Sequence, residues 1–316
     1  MDTTYDVAIL GGSFAGLAAA VALGRSLRRV VVLDASTPRN APSPGAHNVL
    51  AQDGAAPADL IAAARRDAGK YGVELRTAEV ASAEGCRDAP GEAFGVTLTT
   101  GERLTARRLL IATGTVDQLP QIPGLAEHWG TQVLHCPYCH GWEVRGQRIG
   151  VIATHPMASH QALLFSQLGQ VDFILHGEDA AAHLTADQRA DLAAAGVSLV
   201  ESPVAEVTAD GTGLTGVRLA SGEHREYGAL TVQSRLAARA EVFTQLGGTV
   251  SENPMGTFIE TDQRQATAIP GVWAAGNVAD PAGSVAHVAA AGTTAGAALN
   301  ADLIAADVRL ARAGSA

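Results

Sequence analysis

Apolar and polar positions alternate along this chain in two rhythms, and together they predict the same series of elements twice. Tyr5 to Leu10 is a short apolar run of strand length. After a glycine turn, a helix is predicted from about Ala15 to Leu27, and Val30 to Leu33 reads as the next strand. A helix over Pro57 to Tyr71 precedes three short β segments near Val80, Val96 and Leu104, which read as a small meander. Leu109 to Ala112 is a further buried strand, ending in Thr113-Gly114. The order restarts at Arg148. Arg148 to Ile152 reads as a strand, Met157 to Leu168 as a helix and Val171 to Leu175 as a strand. Thr185 with Gln188 resembles a capping box opening a helix to Ala195, because each side chain can satisfy a backbone donor at the helix start. Val204 to Ala209, Gly213 to Leu219 and His224 to Tyr227 then alternate as a second meander.

A strand–helix–strand unit followed by a meander, occurring twice, points to an internal duplication and to two dinucleotide-binding-type domains. After about Gly248 the chain changes character. Pro270 to Asn277 is a strand running into a glycine turn, and a long Ala-rich helix follows. This tail completes no unit of its own and is expected to return to the first domain. The predicted fold is therefore α/β, with two Rossmann-like domains, each carrying a small β-meander. Residues 1–117 form the first part of one domain, 118–245 the second domain, and 246–316 the remainder of the first.

Composition narrows the function. A chain of 316 residues with 47% hydrophobic and 17% charged residues can bury the cores of two domains. A formal charge of -10 argues against nucleic acid, which needs basic patches. Three cysteines cannot form a disulfide framework, and the usage suits a reducing cytoplasm with one catalytic pair. Cys86 has no partner in the sequence and receives no role. The chain opens Met1-Asp2 without a basic leader, and the apolar stretch from Val285 to Ala306 contains Asn300 and Asp302. Neither a signal peptide nor a membrane span is expected.

The first chemical motif is Gly11-Gly12-Ser13-Phe14-Ala15-Gly16, a G-x-x-x-x-G frame with Ser13 where a middle glycine usually sits. Such a turn lets backbone approach a pyrophosphate that rests on the following helix N-terminus. Asp34 ends the second strand, where a carboxylate can hold a ribose hydroxyl, with Ala35 beside it. The motif alone does not choose between FAD and NAD. Two more segments resemble the paired flavoprotein signatures of reductases with two dinucleotide-binding domains: Ile111-Ala112-Thr113-Gly114 and Gly271 to Asp280. The second has Asn277 where those signatures usually have Asp, and an amide can still donate to a flavin phosphate or ribitol group. The resemblance implies FAD, with Gly276, Asn277, His287 and Val288 near it. The helix after Asn277 would point its positive end at the flavin. Asn40, after Pro38-Arg39, is placed for either a flavin contact or a simple turn.

The second motif is His135-Cys136-Pro137-Tyr138-Cys139-His140-Gly141-Trp142-Glu143. Cysteines at this spacing can form an exposed redox disulfide in a turn, with imidazoles nearby raising the thiolate fraction. Zinc is the competing reading, although adjacent residues such as Cys139 and His140 rarely ligate one ion and no second cysteine pair completes a site. His140 beside a reactive thiol is a candidate general base, or a histidine that only packs the turn. His287, early in the last helix, is a second candidate, and a lone histidine in an Ala-rich helix is equally well structural. Trp142, Phe165 and Trp273 are candidates for an apolar pocket, though aromatics in such places are more often core.

Over nearly its full length the chain resembles the low-molecular-weight thioredoxin reductase family. Within it, Cys-Pro-Tyr-Cys-His-Gly-Trp-Glu is similar to the FAD-dependent dithiol oxidases that close disulfides in natural products of the gliotoxin and holomycin type. The resemblance implies a homodimer, a small-molecule dithiol as substrate, molecular oxygen as acceptor, Cys136 as the residue attacked and Cys139 as the one nearer the flavin. Working reductases of the family hold NADPH on a glycine-rich turn and an arginine cluster. This chain has Ala153-Thr154-His155-Pro156-Met157-Ala158 and His176-Gly177-Glu178-Asp179 at those places. Either the NADPH site is lost or NADPH binds through unfamiliar contacts. The rival to the oxidase is a reductase passing electrons from NADPH or another donor to a protein disulfide.

Overall fold

The computed structural model of the protein describes residues 4–85, 93–177 and 184–313. Cys86, Glu178 and Asp179 lie outside these. In chain order the first part contains β1 (Thr4–Leu10), α1 (Phe14–Arg25), β2 (Val30–Asp34), α2 (Pro57–Gly69), β3 (Glu74–Thr77), β4 (Val80–Gly85), β5 (Phe94–Leu98), β6 (Arg103–Ile111) and β7 (Thr115–Gln118). The middle contains β8 (Val133–Leu134), α3 (Pro137–His140), β9 (Arg148–Ala153), α4 (Ala158–Ser166), β10 (Gln170–Leu175), α5 (Ala186–Ala194), β11 (Ser198–Val200), β12 (Val204–Asp210), β13 (Gly213–Leu219), β14 (His224–Glu226) and β15 (Ala229–Val232). The last part contains β16 (Arg235–Ala238), α6 (Glu241–Gln245), β17 (Ser251–Asn253), β18 (Gly256–Phe258), β19 (Val272–Ala274) and α7 (Val285–Ala313).

The chain divides into two units. One comprises residues 1–41, 56–117 and 236–316, and the other comprises residues 42–55 and 118–235. In the first, β3-β2-β1-β6 run parallel, and β5 and β4 continue the sheet as an antiparallel meander. Strand β6 changes partner along its length. Arg103 to Ala106 pair with β5, whereas Leu109 to Ile111 pair with β19. The segments near Leu104 and Leu109, expected as two strands, are this one strand. Its early residues alternate between buried and half-exposed and its last four are all buried, because covering changes from one face to both.

Helix α7 closes this unit against α1. Its buried residues Val288, Gly292, Ala295, Gly296, Leu299, Leu303 and Ala306 recur at helical spacing on one face. A Cβ at Gly292 would lie 2.0 Å from the Ala15 carbonyl oxygen, so only glycine permits this approach of the two backbones. The far end of α7 is tied down by ions: Asp307 receives Arg28 and Arg107, and Asp302 receives the buried Arg108.

The second unit repeats the plan. A parallel sheet of order β11-β10-β9-β15-β8 is followed by the antiparallel meander β12-β13-β14. The Thr185–Gln188 capping box forms as the sequence predicts, with both reciprocal bonds present at the start of α5. Asp172, buried in β10, is satisfied by Arg148 at 2.7 Å, Arg225 at 3.4 Å and the Tyr227 hydroxyl at 2.8 Å. Burial, then the hydrogen bond to Asp172, pushes the Tyr227 phenol far up, so it donates to the carboxylate throughout the ordinary pH range. Among the described residues no helix is long and apolar enough to cross a membrane.

Candidate functional site

The glycine turn sits at the carboxyl end of β1, between β2 and β6, where strand order reverses and ligands of doubly wound sheets bind. Its glycines are demanded first by the chain's own packing. Gly11 has φ of +106°, and a Cβ there would lie 2.3 Å from the Ala112 carbonyl oxygen. A Cβ at Gly16 would fall 2.0 Å from the Gly11 oxygen, and one at Gly12 would meet the Asp34 side chain at 2.8 Å. Ser13 is extended, with φ of −98°, so the position usually held by a middle glycine needs none here.

The fit to a pyrophosphate lies in the donors. Ser13 is the N-cap of α1 and its side chain caps nothing. Among the described residues the N–H groups of Gly12, Ser13, Phe14, Ala15 and Gly16 donate to no protein acceptor. Five adjacent amides at the N-terminus of a twelve-residue helix make a ready anion cradle. Phe14 and Ala15 also pack into the core behind the turn.

Of the other expected cofactor residues, Asp34, Ala112, Thr113 and Gly276 lie against this turn. Asp34 accepts the Ser36 N–H at 3.2 Å and Arg65 at 3.3 Å, and Ala35 beside it is exposed. Asn40 is half-buried in the turn closed by the Ala41-to-Pro38 bond. Thr113 gives its hydroxyl proton to the Arg239 carbonyl at 2.6 Å, and Gly114, with φ of +74°, accepts the Arg239 N–H. Gly276 has φ of +85°, and a Cβ on it would lie 2.9 Å from that of Ala15. Val288 is buried behind Gly276 and Gly283. His287 is exposed, with Nδ1 3.2 Å from the Ser284 hydroxyl.

Asn277 behaves differently from the expectation that its amide donates to the cofactor. Its Nδ2 donates to the carbonyls of Asp280 at 3.0 Å and Gly283 at 2.9 Å, with that of Pro281 at 3.5 Å. Both amide protons are spent folding the 280–283 loop, so its backbone N–H and Oδ1 remain for a ligand. A carboxylate in this place would face carbonyl oxygens, which is a physical reason for Asn here. Of the three aromatics expected at a pocket, Trp273 is buried in the core of the first unit and Phe165 in that of the second. Only Trp142 is exposed, beneath the Arg145 guanidinium.

The cysteine pair lies in the second unit. Cys136 is the N-cap of the single turn α3, Pro137 is its first residue, and Cys139 stands at its third position. N-cap and third-position side chains meet across a helical start, so the two sulfurs belong to one turn. Proline suits its place, since the donor it lacks is one the helix could not use. Both cysteines are half-buried. The turn is held from two sides: Gln161 of α4 donates to the His135 carbonyl at 2.6 Å, and Asn48 donates to the Tyr138 carbonyl at 2.8 Å. Among the described residues no group of three or more His, Cys, Asp or Glu is placed to hold a metal ion.

Residues 42–55 form a strap against this turn, and sequence reasoning missed them. The Ser43 hydroxyl lies 2.8 Å from His140 Nε2. His47 stands between Asp53 and Glu143, 3.3 Å from each. Burial is the largest influence on His140 and pulls its pKa below the usual imidazole range; the Glu143 carboxylate opposes this and His47 adds to it. His140 is therefore neutral near pH 7 and able to accept a proton.

In the second unit's own strand–turn–helix, β9 to α4, three of the turn's amides are bonded within it. Thr154 N–H donates to Ile152, Ala158 N–H to His155, and Met157 N–H to the His155 ring at 3.1 Å, while Pro156 has no N–H. His176, after β10, is half-buried, its Nδ1 has no partner among the described residues, and burial lowers its pKa, so it carries no charge near neutrality.

Comparison with known proteins agrees with this plan. The profile described as Pyridine nucleotide-disulphide oxidoreductase matches residues 5–295. Thioredoxin reductase aclD of Aspergillus oryzae (strain ATCC 42149 / RIB 40) is 40% identical over 158 residues, and the match covers 49% of each chain, about half of that relative's length. Thioredoxin reductase tcpT of Claviceps purpurea (strain 20.1) is 30% identical over 278 residues, 86% of each chain. The crystal structure of HlmI superposes with a TM-score of 0.90 at 38% identity, covering 99% of this chain and 98% of that one. An open anion cradle in one Rossmann-like unit, a paired-cysteine turn in the other and a family match across both leave one assignment: the chain belongs to the pyridine nucleotide-disulphide oxidoreductase family and is an FAD-binding oxidoreductase.

Proposed function

We propose that the enzyme oxidises a small-molecule dithiol to an intramolecular disulfide, with dioxygen as the terminal acceptor and hydrogen peroxide as the second product. The observation that carries this reading is the contrast between two equivalent turns. Residues Gly12 to Gly16 keep five amides available for a cofactor, whereas in the matching turn Thr154, Met157 and Ala158 spend theirs on the turn itself and Pro156 has none. An uncharged His176 near the place where a reductase would hold a 2′-phosphate adds nothing attractive to that anion. With that turn ill suited to a nicotinamide's phosphates, electrons enter through the dithiol.

In the resting enzyme Cys136 and Cys139 form a disulfide. A substrate thiol gives its proton to His140, and the thiolate attacks the Cys136 sulfur, so a substrate–Cys136 bond forms as the Cys136–Cys139 bond breaks. The second substrate thiol displaces Cys136, and the cyclic disulfide leaves with the enzyme as a dithiol. FAD, when bound, would supply the two-electron acceptor for that dithiol, with dioxygen plus two protons as the final acceptor giving peroxide. Gly12 to Gly16, with the Asn277 backbone, would hold the cofactor's phosphates, and Asp34 its ribose. Cys136 is the attacked residue and Cys139 the electron donor. The exposed Tyr138 and Trp142 offer apolar contact to substrate beside the turn.

The relatives named thioredoxin reductase favour a second reading, in which a nicotinamide donor reduces a protein disulfide. Anaerobic mixing separates the two. A small dithiol should bleach the flavin while NADPH leaves it yellow, and aerobic turnover should release one peroxide per disulfide. Bleaching by NADPH at a catalytically useful rate establishes the reductase instead. Cys139→Ser should abolish dithiol-driven bleaching.

A further inference from the structure

The tautomer of His140 follows from the strap. Ser43 Oγ lies 2.6 Å from the Gly45 carbonyl oxygen and 2.8 Å from His140 Nε2. A carbonyl oxygen can only accept, so at 2.6 Å the single hydroxyl proton must point at Gly45. Ser43 therefore has only lone pairs to offer His140, and the hydrogen between them belongs to Nε2. A neutral imidazole protonated on Nε2 has its basic lone pair on Nδ1.

The carbonyl that orients the serine is itself fixed. A Cβ at Gly45 would lie 2.9 Å from the Gly54 oxygen, so the two arms of the strap touch through backbone. Ala46 N–H donates to Ala55 and Gly54 N–H to Ala46, both at 2.9 Å. Between the arms, Asn48 and Ala51 hold left-handed conformations, φ of 59° and 66°, which L residues rarely adopt. Asn48 also accounts for its geometry in contacts: its N–H reaches Asp53 at 2.7 Å and its amide reaches the Tyr138 carbonyl. The strap is a hydrogen-bonded clip attached to the cysteine turn through Ser43 and Asn48.

We propose that Ser43 is a positioning residue, which by accepting the Nε2 proton fixes the tautomer and ring orientation that present His140 Nδ1 to the substrate thiol. The inference rests on His140 being the base. When Nδ1 takes the thiol proton, the ring becomes a cation whose Nε2–H is already donated to Ser43, so no proton in the strap has to move. Among the described residues the other charged or titratable groups acting on the ring are Glu143 and His47; the two cysteines share its helical turn.

Two measurements test this. Long-range proton–nitrogen NMR of the 15N-labelled, flavin-loaded full chain should find His140 protonated on Nε2 and bare on Nδ1 near pH 7, with its signals identified by their loss in His140→Gln. In Ser43→Ala the imidazolium loses an acceptor, so the acid limb of the pH profile for dithiol-driven flavin bleaching should move down by about one pH unit, and Ser43→Thr should restore it. An Nδ1-protonated ring in the wild type overturns the inference. So does an unmoved limb in Ser43→Ala when His140→Gln removes that limb. If His140→Gln leaves the limb in place, the base assignment fails, and the wild-type tautomer still decides the role of Ser43.

Discussion

Replacing Asn277 with Asp is a near-isosteric change that should be costly. The amide protons that close the 280–283 loop would be lost, two hydrogen bonds at 3.0 and 2.9 Å. At about 1 kcal/mol each they account for about 2 kcal/mol. A carboxylate would also confront the carbonyl oxygens of Asp280, Pro281 and Gly283, which adds roughly another 1 kcal/mol and makes a total near 3 kcal/mol, a large part of a typical folding free energy. Carbonyl oxygens favour the protonated acid, so the folded-state pKa of the introduced carboxyl lies above its unfolded value near 3.9. The deficit is therefore full above the raised pKa and shrinks as pH falls through it, where the acid can donate one bond again. Urea unfolding of parent and Asn277→Asp at pH 7.5 and pH 5 measures both effects. Equal midpoints at pH 7.5, or a deficit that does not change with pH, would refute the reasoning.

The remaining predictions concern the turn and the buried imidazoles. Gly11→Ala places a methyl against the Ala112 backbone and should lose flavin, read as the 450-to-280 nm absorbance ratio; Gly72→Ala, with φ of +75° and open space, should keep it and lose only about 1 kcal/mol. Burial depresses the pKa of both His140 and His176, so the unfolded chain binds more protons as pH falls below about 6.5. Stability should accordingly decline from pH 7 to pH 5, and His176→Gln should flatten that decline in urea titrations.

Much of this architecture was readable because its signals are local. Apart from Arg148, Gln170 and Asp172, the β9 and β10 runs are apolar and buried on both faces, and the Thr185–Gln188 box needs only its own four residues. Strand β3 was not read, since Glu74 to Thr77 is a polar edge strand with no buried residue. The unity of β6 was hidden by its change of partner partway along. At the candidate site, the glycine turn and cysteine pair announce themselves by spacing, whereas Ser43 and Asn48 act on residues 97 and 90 positions away. Nothing periodic in Ser43-Pro44-Gly45-Ala46-His47-Asn48 marks such a reach. The self-closure of the second turn was half legible. Absent glycines and Pro156 were visible, but the His155 ring on the Met157 amide depends on a rotamer.

The seating of α7 on α1 bears on how the protein is made. Residues 272–313 supply the strand beside Leu109 to Ile111 and the helix whose Gly292 rests on Ala15. A nascent chain still holding them in the ribosomal exit tunnel has every part of the β8–β15 sheet but an unfinished cradle around Gly11 to Gly16. Flavin capture should thus wait for residues 272–313, and a polypeptide released before α7 should leave the ribosome colourless.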